Sequence, residues 1–475
     1  MFLLNSARKS FENNFTQALE SSLSNKFILS GMVGLGKTEV LRNLFHYTTE
    51  PVVICFPTHD LKEEFLRSKK DIQCIGTPRP PPALSSFIAA ETISSEDSLG
   101  SISGKVKQAF PEFYRELESC LKFPETVVTT HDAFLCSEYK FHHKTIIFDE
   151  IPTHLLGNLQ SESFLGLQEL RFLNLANPSM VQKDLDFYLR SIQLEIENQN
   201  PFVVGGSLIK KISNSLPSEL KQFLLKNFKD KQKISKSFKK ITSLLSSSSK
   251  EFFVNYQENT LSTFSEFNFQ KNKKFICFSA TPSVELLSRY GFVHLPSGQL
   301  EEPLADIIHV PINTSRSSLS SAGNKKEINN LIRQLDIPKV ISYKDLILRN
   351  QVADVYFGNL EGTNKYEKED VIGIVGTPFY GTAYLYQTCI LNKKINFTKD
   401  DFQMVDREIE INNNNYNDKK KIMFRTFQND WLSYQHIFQI ESSLIQAIGR
   451  LRPFTRKSKI YLFSKLPIMC NQEIS

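Results

Sequence analysis

Eight residues near the start of the chain carry the most chemistry. Gly31-Met-Val-Gly-Leu-Gly-Lys-Thr38 fits the spacing G-x-x-x-x-G-K-[ST]. Glycines at Gly31, Gly34 and Gly36 let backbone N–H groups turn inward on a polyphosphate. Lys37 is placed for the β- and γ-phosphates and the Thr38 hydroxyl for Mg²⁺. A helix starting here turns its positive dipole end to the same anion. Downstream, Thr145-Ile-Ile-Phe-Asp-Glu-Ile-Pro152 ends an apolar run in two carboxylates. Asp149 is expected to hold Mg²⁺ through its water shell, and Glu150 to orient and deprotonate an attacking water. Hydrolysis of ATP is the chemistry these two segments imply, with ATP and Mg²⁺ as cofactors.

Two further segments suit a machine with moving parts. Phe278-Ser-Ala-Thr-Pro282 and Gln446-Ala-Ile-Gly-Arg-Leu-Arg452 lie far apart in the chain. Phosphoryl transfer needs positive charge at the γ-phosphate. If Gln446 and either Arg450 or Arg452 come from a second lobe, the site is complete only when the lobes close. Ser279 and Thr281 would then link phosphate state to lobe position. The alternative for the arginines is a solvated helix C-terminus, where cations are favoured anyway.

The elements that must position these residues can be read from periodicity. Apolar positions Leu3, Leu4, Ala7, Phe11, Phe15 and Leu19 predict an N-terminal helix. Lys26–Ser30, Pro51–Phe56, Thr126–Thr129, Thr145–Phe148 and Lys274–Phe278 predict buried strands, with a helix over 38–46. Short apolar strands separated by helical stretches indicate a parallel, doubly wound α/β lobe. A second lobe of the same class follows. Its strands are expected at 307–310, 339–342, 353–357, 371–375 and 459–463, and its helices at 325–335, 382–391 and 431–448. Segments 407–411 and 421–425 flank Asn412-Asn-Asn-Asn-Tyr-Asn-Asp418 and predict a β-hairpin. Residues 155–265 are Leu-, Ser- and Lys-rich with helical periodicity, notably at 163–175, 183–196 and 219–228, and predict a mainly helical insertion.

In this order the P-loop, Asp149-Glu150, Ser279-Ala-Thr281 and Gln446-x-x-Gly449-Arg450 resemble the motifs of superfamily-2 helicases. The resemblance sharpens at Val127-Val-Thr-Thr-His-Asp-Ala-Phe-Leu135, Gly358-Asn-Leu-Glu-Gly-Thr-Asn364 and Val371-Ile-Gly-Ile-Val-Gly-Thr-Pro378. These look like segments of the XPD/DinG-type DNA helicases, as does a long insertion between the Asp-Glu and Ser-Ala-Thr motifs. The resemblance implies two RecA-like lobes, an arch-like insertion over DNA, single-stranded DNA binding and 5′-to-3′ movement. The expected division is residues 1–155 and 266–298 for lobe one, 156–265 for the insertion and 299–475 for lobe two. There are departures. The acidic pair continues Ile151-Pro152 rather than Ala-His, Asn364 stands where the family tends to have Asp, and Arg452 is one residue closer to Arg450 than usual. That family usually holds an iron–sulfur cluster on four cysteines. Here Cys74, Cys120 and Cys136 are widely spaced and Cys55 lies within a strand, so no cluster is expected.

Contacts to a nucleic-acid strand are expected at the carboxyl ends of the strands. The candidates are Thr58, Thr129, Thr130 and His131 in lobe one, and Ser342, Gly358, Gly362 and Thr363 in lobe two. Hydroxyls and backbone N–H groups suit phosphate contacts that carry no sequence information. For Thr58 and His131 a capping role is the alternative. Residues 210–240 are lysine-rich with Phe223, Phe228 and Phe238 interleaved, and read either as an electrostatic track or as a solvated face.

Bulk properties agree. A chain of 475 residues suits two or three domains. No apolar run approaches the roughly 20 residues of a membrane helix, and the scattered cysteines suit a reducing compartment. The expectation is a cytoplasmic, soluble protein acting on single-stranded or forked DNA, without membrane contact. Protein partners would belong to a replication, repair or mobile-element complex. RNA is the alternative substrate, and an ATP-operated nucleic-acid-binding switch or scaffold the alternative class.

Overall fold

The computed structural model describes residues 2–151 apart from 69–72, 85–86, 88–98 and 138–139. Of the segment 152–265 it describes 156–163, 190, 194, 209–212, 252–255 and 260–265. It describes 266–474 apart from 299–302, 349–350, 353–354, 359, 361–364, 380, 399 and 413–418.

The apolar runs of the first lobe become strands β1 (Lys26–Ser30), β2 (Val52–Phe56), β3 (Cys74–Gly76), β4 (Thr126–Thr130) and β5 (Thr145–Asp149). A separate sheet holds β6 (Gly157–Ser163), β7 (Ile209–Ile212), β8 (Phe252–Asn255) and β9 (Thr260–Glu266). The first lobe resumes with β10 (Lys274–Ser279) and β11 (Val293–Pro296). Its sheet has the order β11-β1-β10-β5-β2-β4-β3, and every pairing is parallel. β2, β4 and β5 are buried at every position, as covered parallel strands must be. The N-terminal helix Phe2–Glu20 lays Ala7, Phe11, Phe15 and Ala18 against this sheet. Phe11 and Phe15 meet Phe278 edge-on at 5.0 and 5.5 Å.

The second lobe contains β12 (Asp306–Val310), β13 (Lys339–Ser342), a short hairpin of β14 (Ile347–Leu348) and β15 (Gln351–Val352), β16 (Val355–Tyr356) and β17 (Val371–Val375). The long hairpin β18 (Met404–Asn412) and β19 (Lys419–Phe427) follows, then β20 (Lys459–Phe463) and β21 (Gln472–Glu473). Six of these form a parallel sheet, β16-β13-β17-β20-β12-β21. The α/β class and the two-sheet architecture match the expectation, and so does the hairpin around the Asn-rich segment.

Two details differ. The helix expected over 38–46 is an α-helix, Lys37–Arg42, followed by a 3₁₀ turn, Leu44–His46. The break falls at Asn43, whose side-chain amide donates to Glu39 O at 3.0 Å and competes with helix continuation. The insertion read as mainly helical contributes an antiparallel sheet, β6-β9-β8-β7. In β9, Ser262 and Phe264 both point inward, a period of two that marks a strand. The helices expected at 163–175, 183–196 and 219–228 lie outside the described residues, except that Arg190 and Leu194 are helical. Most of the lysine-rich stretch 210–240 also lies outside them.

Candidate functional site

Sheet register brings the motifs together. β10 lies between β1 and β5, with Ser279 opposite Ser30 and Phe278 opposite Asp149. The loops leaving three adjacent strands at the same level therefore share one crevice, the usual ligand position in open parallel sheets. Ser279 O accepts from the Gly31 backbone N–H at 3.1 Å, fastening the P-loop to β10. Ser279 Oγ accepts from the Thr281 N–H at 3.2 Å, so the same serine shapes the next turn.

The P-loop itself needs its glycines. Gly34 and Gly36 have φ of 80° and 94°, a left-handed conformation that costs other residues roughly 1 kcal/mol or more. Lys37 Nζ, nearly buried, donates to Gly31 O at 3.2 Å and lies 3.5 Å from Glu150 Oε1. Thr38 Oγ1 donates to Asp149 Oδ2 at 3.2 Å. Glu150 has a φ of 69°, which no glycine relieves. Such strain persists where the surroundings hold it, commonly at functional positions; here it turns the carboxylate towards Lys37.

Burial pushes the Asp149 carboxyl up to about 6; the neighbouring Glu150 charge adds to this, while Lys37 and the Thr38 hydroxyl oppose it. An ionised Asp149 is thus costly until a cation arrives. A divalent ion beside Thr38 and Asp149 relieves that cost, so these residues fit Mg²⁺. No group of three or more His, Cys, Asp or Glu side chains among the described residues is placed to hold a metal. A cation here would complete its shell with water and nucleotide oxygens, as Mg²⁺ ordinarily does.

The second lobe closes the crevice. A cleft of about 480 Å³ is walled by Lys37, Thr38, Asp149 and Glu150 from one lobe and by Gln446, Arg450 and Arg452 from the other. Gly449 packs against the P-loop. A Cβ placed there would lie 2.5 Å from Val33 Cβ, so only glycine lets the helix Asp430–Ile448 end against the P-loop. Arg452, with φ of 50°, pairs with Glu367 at 3.1 Å. Val33, Ile448 and Leu451 belong to one continuous buried cluster.

Arg8 was not foreseen. It projects from the first helix, donates from Nε to Leu35 O at 2.9 Å and lines the same cleft. Its only signal in the sequence is a cation beside the apolar stripe at Ala7.

The residues expected against a nucleic-acid strand are placed differently. Thr129, Thr130, His131 and Ser342 are buried and bonded internally. Thr129 Oγ1 accepts from Thr77 Oγ1 at 3.0 Å, and Thr130 Oγ1 accepts from the Ala133 N–H at 3.3 Å. His131 Nε2 donates to Cys55 O at 3.2 Å and Ser342 Oγ to Val375 O at 2.7 Å. In this structure the four side chains face inward, at the end of β4, the start of the helix His131–Ser137 and the end of β13, and brace the loops there. Thr58 Oγ1 accepts from the Leu61 N–H at 3.3 Å, the capping alternative. Gly358 is exposed with φ of 96°; Gly362 and Thr363 lie outside the described residues. Of the cysteines weighed against an iron–sulfur cluster, Cys55 and Cys120 are buried, with Cys120 Sγ donating to Gly76 O at 3.3 Å. The Cys136 side chain is outside the described set.

The sequence matches no protein-family model and no curated protein. The fold does match solved structures. An XPD helicase superposes with a TM-score of 0.52 at 15% identity, over 97% of this chain and 95% of that one. Xpd4 from S. tokodaii gives 0.51 at 11% identity, over 96% and 95%. Among the described residues no helix is long and apolar enough to cross a membrane. Over nearly its whole length the chain has the fold of the XPD helicases.

Proposed function

We propose that the chain is an ATP-dependent DNA helicase or translocase, whose two lobes couple ATP hydrolysis to movement along a single strand. The observation that carries this reading is one cleft walled by the P-loop, the acidic pair and the Gln446–Arg452 segment of the opposite lobe. A nucleotide held there touches both lobes, so its hydrolysis changes what holds them together.

The roles follow from position. The backbone N–H groups of Gly34 and Gly36, with Lys37, bind the phosphates. Thr38 and Asp149 would hold Mg²⁺, which when bound would supply neutralising charge to the phosphates. Glu150 accepts a proton from water as the water oxygen bonds to the γ-phosphorus and the bond to the ADP oxygen breaks. Before ATP arrives Glu150 is paired with Lys37; phosphates drawing Lys37 away free the carboxylate to act as base. Arg450 is assigned the stabilisation of charge on the γ-phosphate, and Arg452, paired with Glu367 in its own lobe, is assigned to position the segment. Ser279 ties the P-loop to β10, and Thr281 carries that connection towards lobe two. Among the described strand-side candidates, Gly358 is exposed and Thr58 partly so.

The reading also takes residues 1–155 with 266–298 as lobe one, 156–265 as the insertion and 299–475 as lobe two. The test is ATP hydrolysis by the purified protein with single-stranded DNA, with RNA and with neither, beside Glu150→Gln. Stimulation by DNA, lost in the variant, supports the proposal. Stimulation by RNA alone changes the substrate. Hydrolysis indifferent to both points to an ATP-operated switch or scaffold and refutes the motor.

A further inference from the structure

A second cavity, of about 350 Å³, lies between the lobes on the far side of Glu150 and Gln446, which wall both spaces. Its lobe-two wall is made by one face of the helix Asp430–Ile448, by the helix Thr382–Leu391 and by Gly358 and Leu360. Gln435, Gln439 and Gln446 lie on that face at four- and seven-residue spacing, which stacks side chains along one side. Gln435 and Gln439 are 4% and 3% exposed. A buried helix face is ordinarily apolar, so glutamines there call for partners. Yet among the described residues neither the amide nitrogen nor the amide oxygen of the Gln439 side chain has one. A buried amide left unpaired is costly.

That amide specifies its ligand. It offers a donor and an acceptor at one edge, so it is satisfied by a group that both accepts and donates. An oxyanion answers the nitrogen alone. No Lys, Arg or His is among the residues walling the cavity, so nothing there draws an anion. A nucleobase edge fits: glutamine makes paired hydrogen bonds to such edges. The surroundings supply the face as well. Phe438 is on the wall, and Tyr434, 55% exposed, stacks on it at 6.1 Å and 22°. Aromatic rings in series from solvent to a cavity suit unstacked bases. Gly358, in a loop read as facing the strand, is on the same wall.

We propose that this cavity takes one nucleobase of the bound strand, stacked on Phe438 and hydrogen-bonded at its edge by Gln439. The proposal rests on the nucleic-acid reading above. It is tested by fluorescence anisotropy without nucleotide, using two oligodeoxynucleotides of equal length, one of them abasic through its centre. The wild type is expected to bind the complete strand about tenfold more tightly. Gln439→Leu, which removes the unpaired amide and is expected to fold, should cut that ratio to about twofold without weakening the abasic strand. Phe438→Leu should act in the same direction. A ratio unchanged in both variants, or equal weakening of both strands, overturns the proposal. So does saturation by free adenosine with no effect of the abasic tract, which assigns the cavity to a soluble nucleoside. If neither strand binds while ATP is still hydrolysed, the nucleic-acid reading itself falls and takes the proposal with it.

Discussion

Gly449→Ala tests whether lobe contact is what completes the ATP site. The backbone there has φ of −60° and ψ of −18°, which alanine adopts freely, so any effect arises from contact. The added carbon would sit 2.5 Å from Val33 Cβ and 2.7 and 2.8 Å from its two methyl carbons. Apolar carbons rest at about 3.5–4.0 Å, so the two lobes must part by roughly 1 Å. Misplacement on that scale costs about 10²-fold in rate when it separates groups that act together. The steady-state kcat for ATP should fall by about that factor. Nucleotide affinity, set mainly by the P-loop in lobe one, should change by less than about threefold. Adding Val33→Gly removes the colliding carbon and should recover most of the loss. Wild-type kcat in Gly449→Ala, or a loss that Val33→Gly leaves untouched, would refute the reasoning.

Other expectations can be checked alongside. Arg450→Ala should lower kcat by about 10³-fold with nucleotide binding retained, and Arg452→Ala, which breaks the Glu367 pair, by about tenfold or less; steady-state kinetics of the two variants would reverse the assignment if the order is inverted. His436, buried among Phe379, Phe424 and Phe427 with Thr426 Oγ1 at 3.0 Å, is held down to about 4 by burial. Its folded value lies below its unfolded one, so the unfolded chain binds the extra proton. The stability involved is fully present above about pH 6.5 and is lost as pH falls towards 4, by up to about 3 kcal/mol. Denaturant melts across that range should show wild type losing stability relative to His436→Phe as pH falls; a constant difference would contradict it.

What the sequence made legible was what is contiguous or periodic. Strands such as Val52–Phe56 and Thr145–Asp149 are covered on both faces and spell continuous apolar runs. The P-loop and the acidic pair carry their chemistry on adjacent residues, so spacing alone exposed them. Reading failed where a role arises from tertiary placement. Gln439 looks like an ordinary polar position on an amphipathic helix; only packing shows its amide buried and unpaired. Arg8 becomes part of the cleft beside Lys37 through a bond to Leu35, beyond the first strand. Thr129, Thr130, His131 and Ser342 stand near strand ends, where loops usually begin. Thr130 and Ser342 end their strands, Thr129 precedes that end and His131 opens the next helix, yet all four side chains are buried and bonded to buried backbone or neighbouring side chains. In the insertion, serine replaces an apolar residue at one inward position of β9, which blurs the period of two beneath a stronger helical pattern.

Movement itself is the central claim, and displacement of streptavidin from biotinylated single-stranded DNA measures it most directly. With ATP and Mg²⁺, the wild type should clear streptavidin from one end of the strand faster than from the other, while Glu150→Gln clears neither. ATP hydrolysis stimulated by DNA, with no ATP-dependent displacement from either end, would contradict the claim and leave a switch in place of a motor.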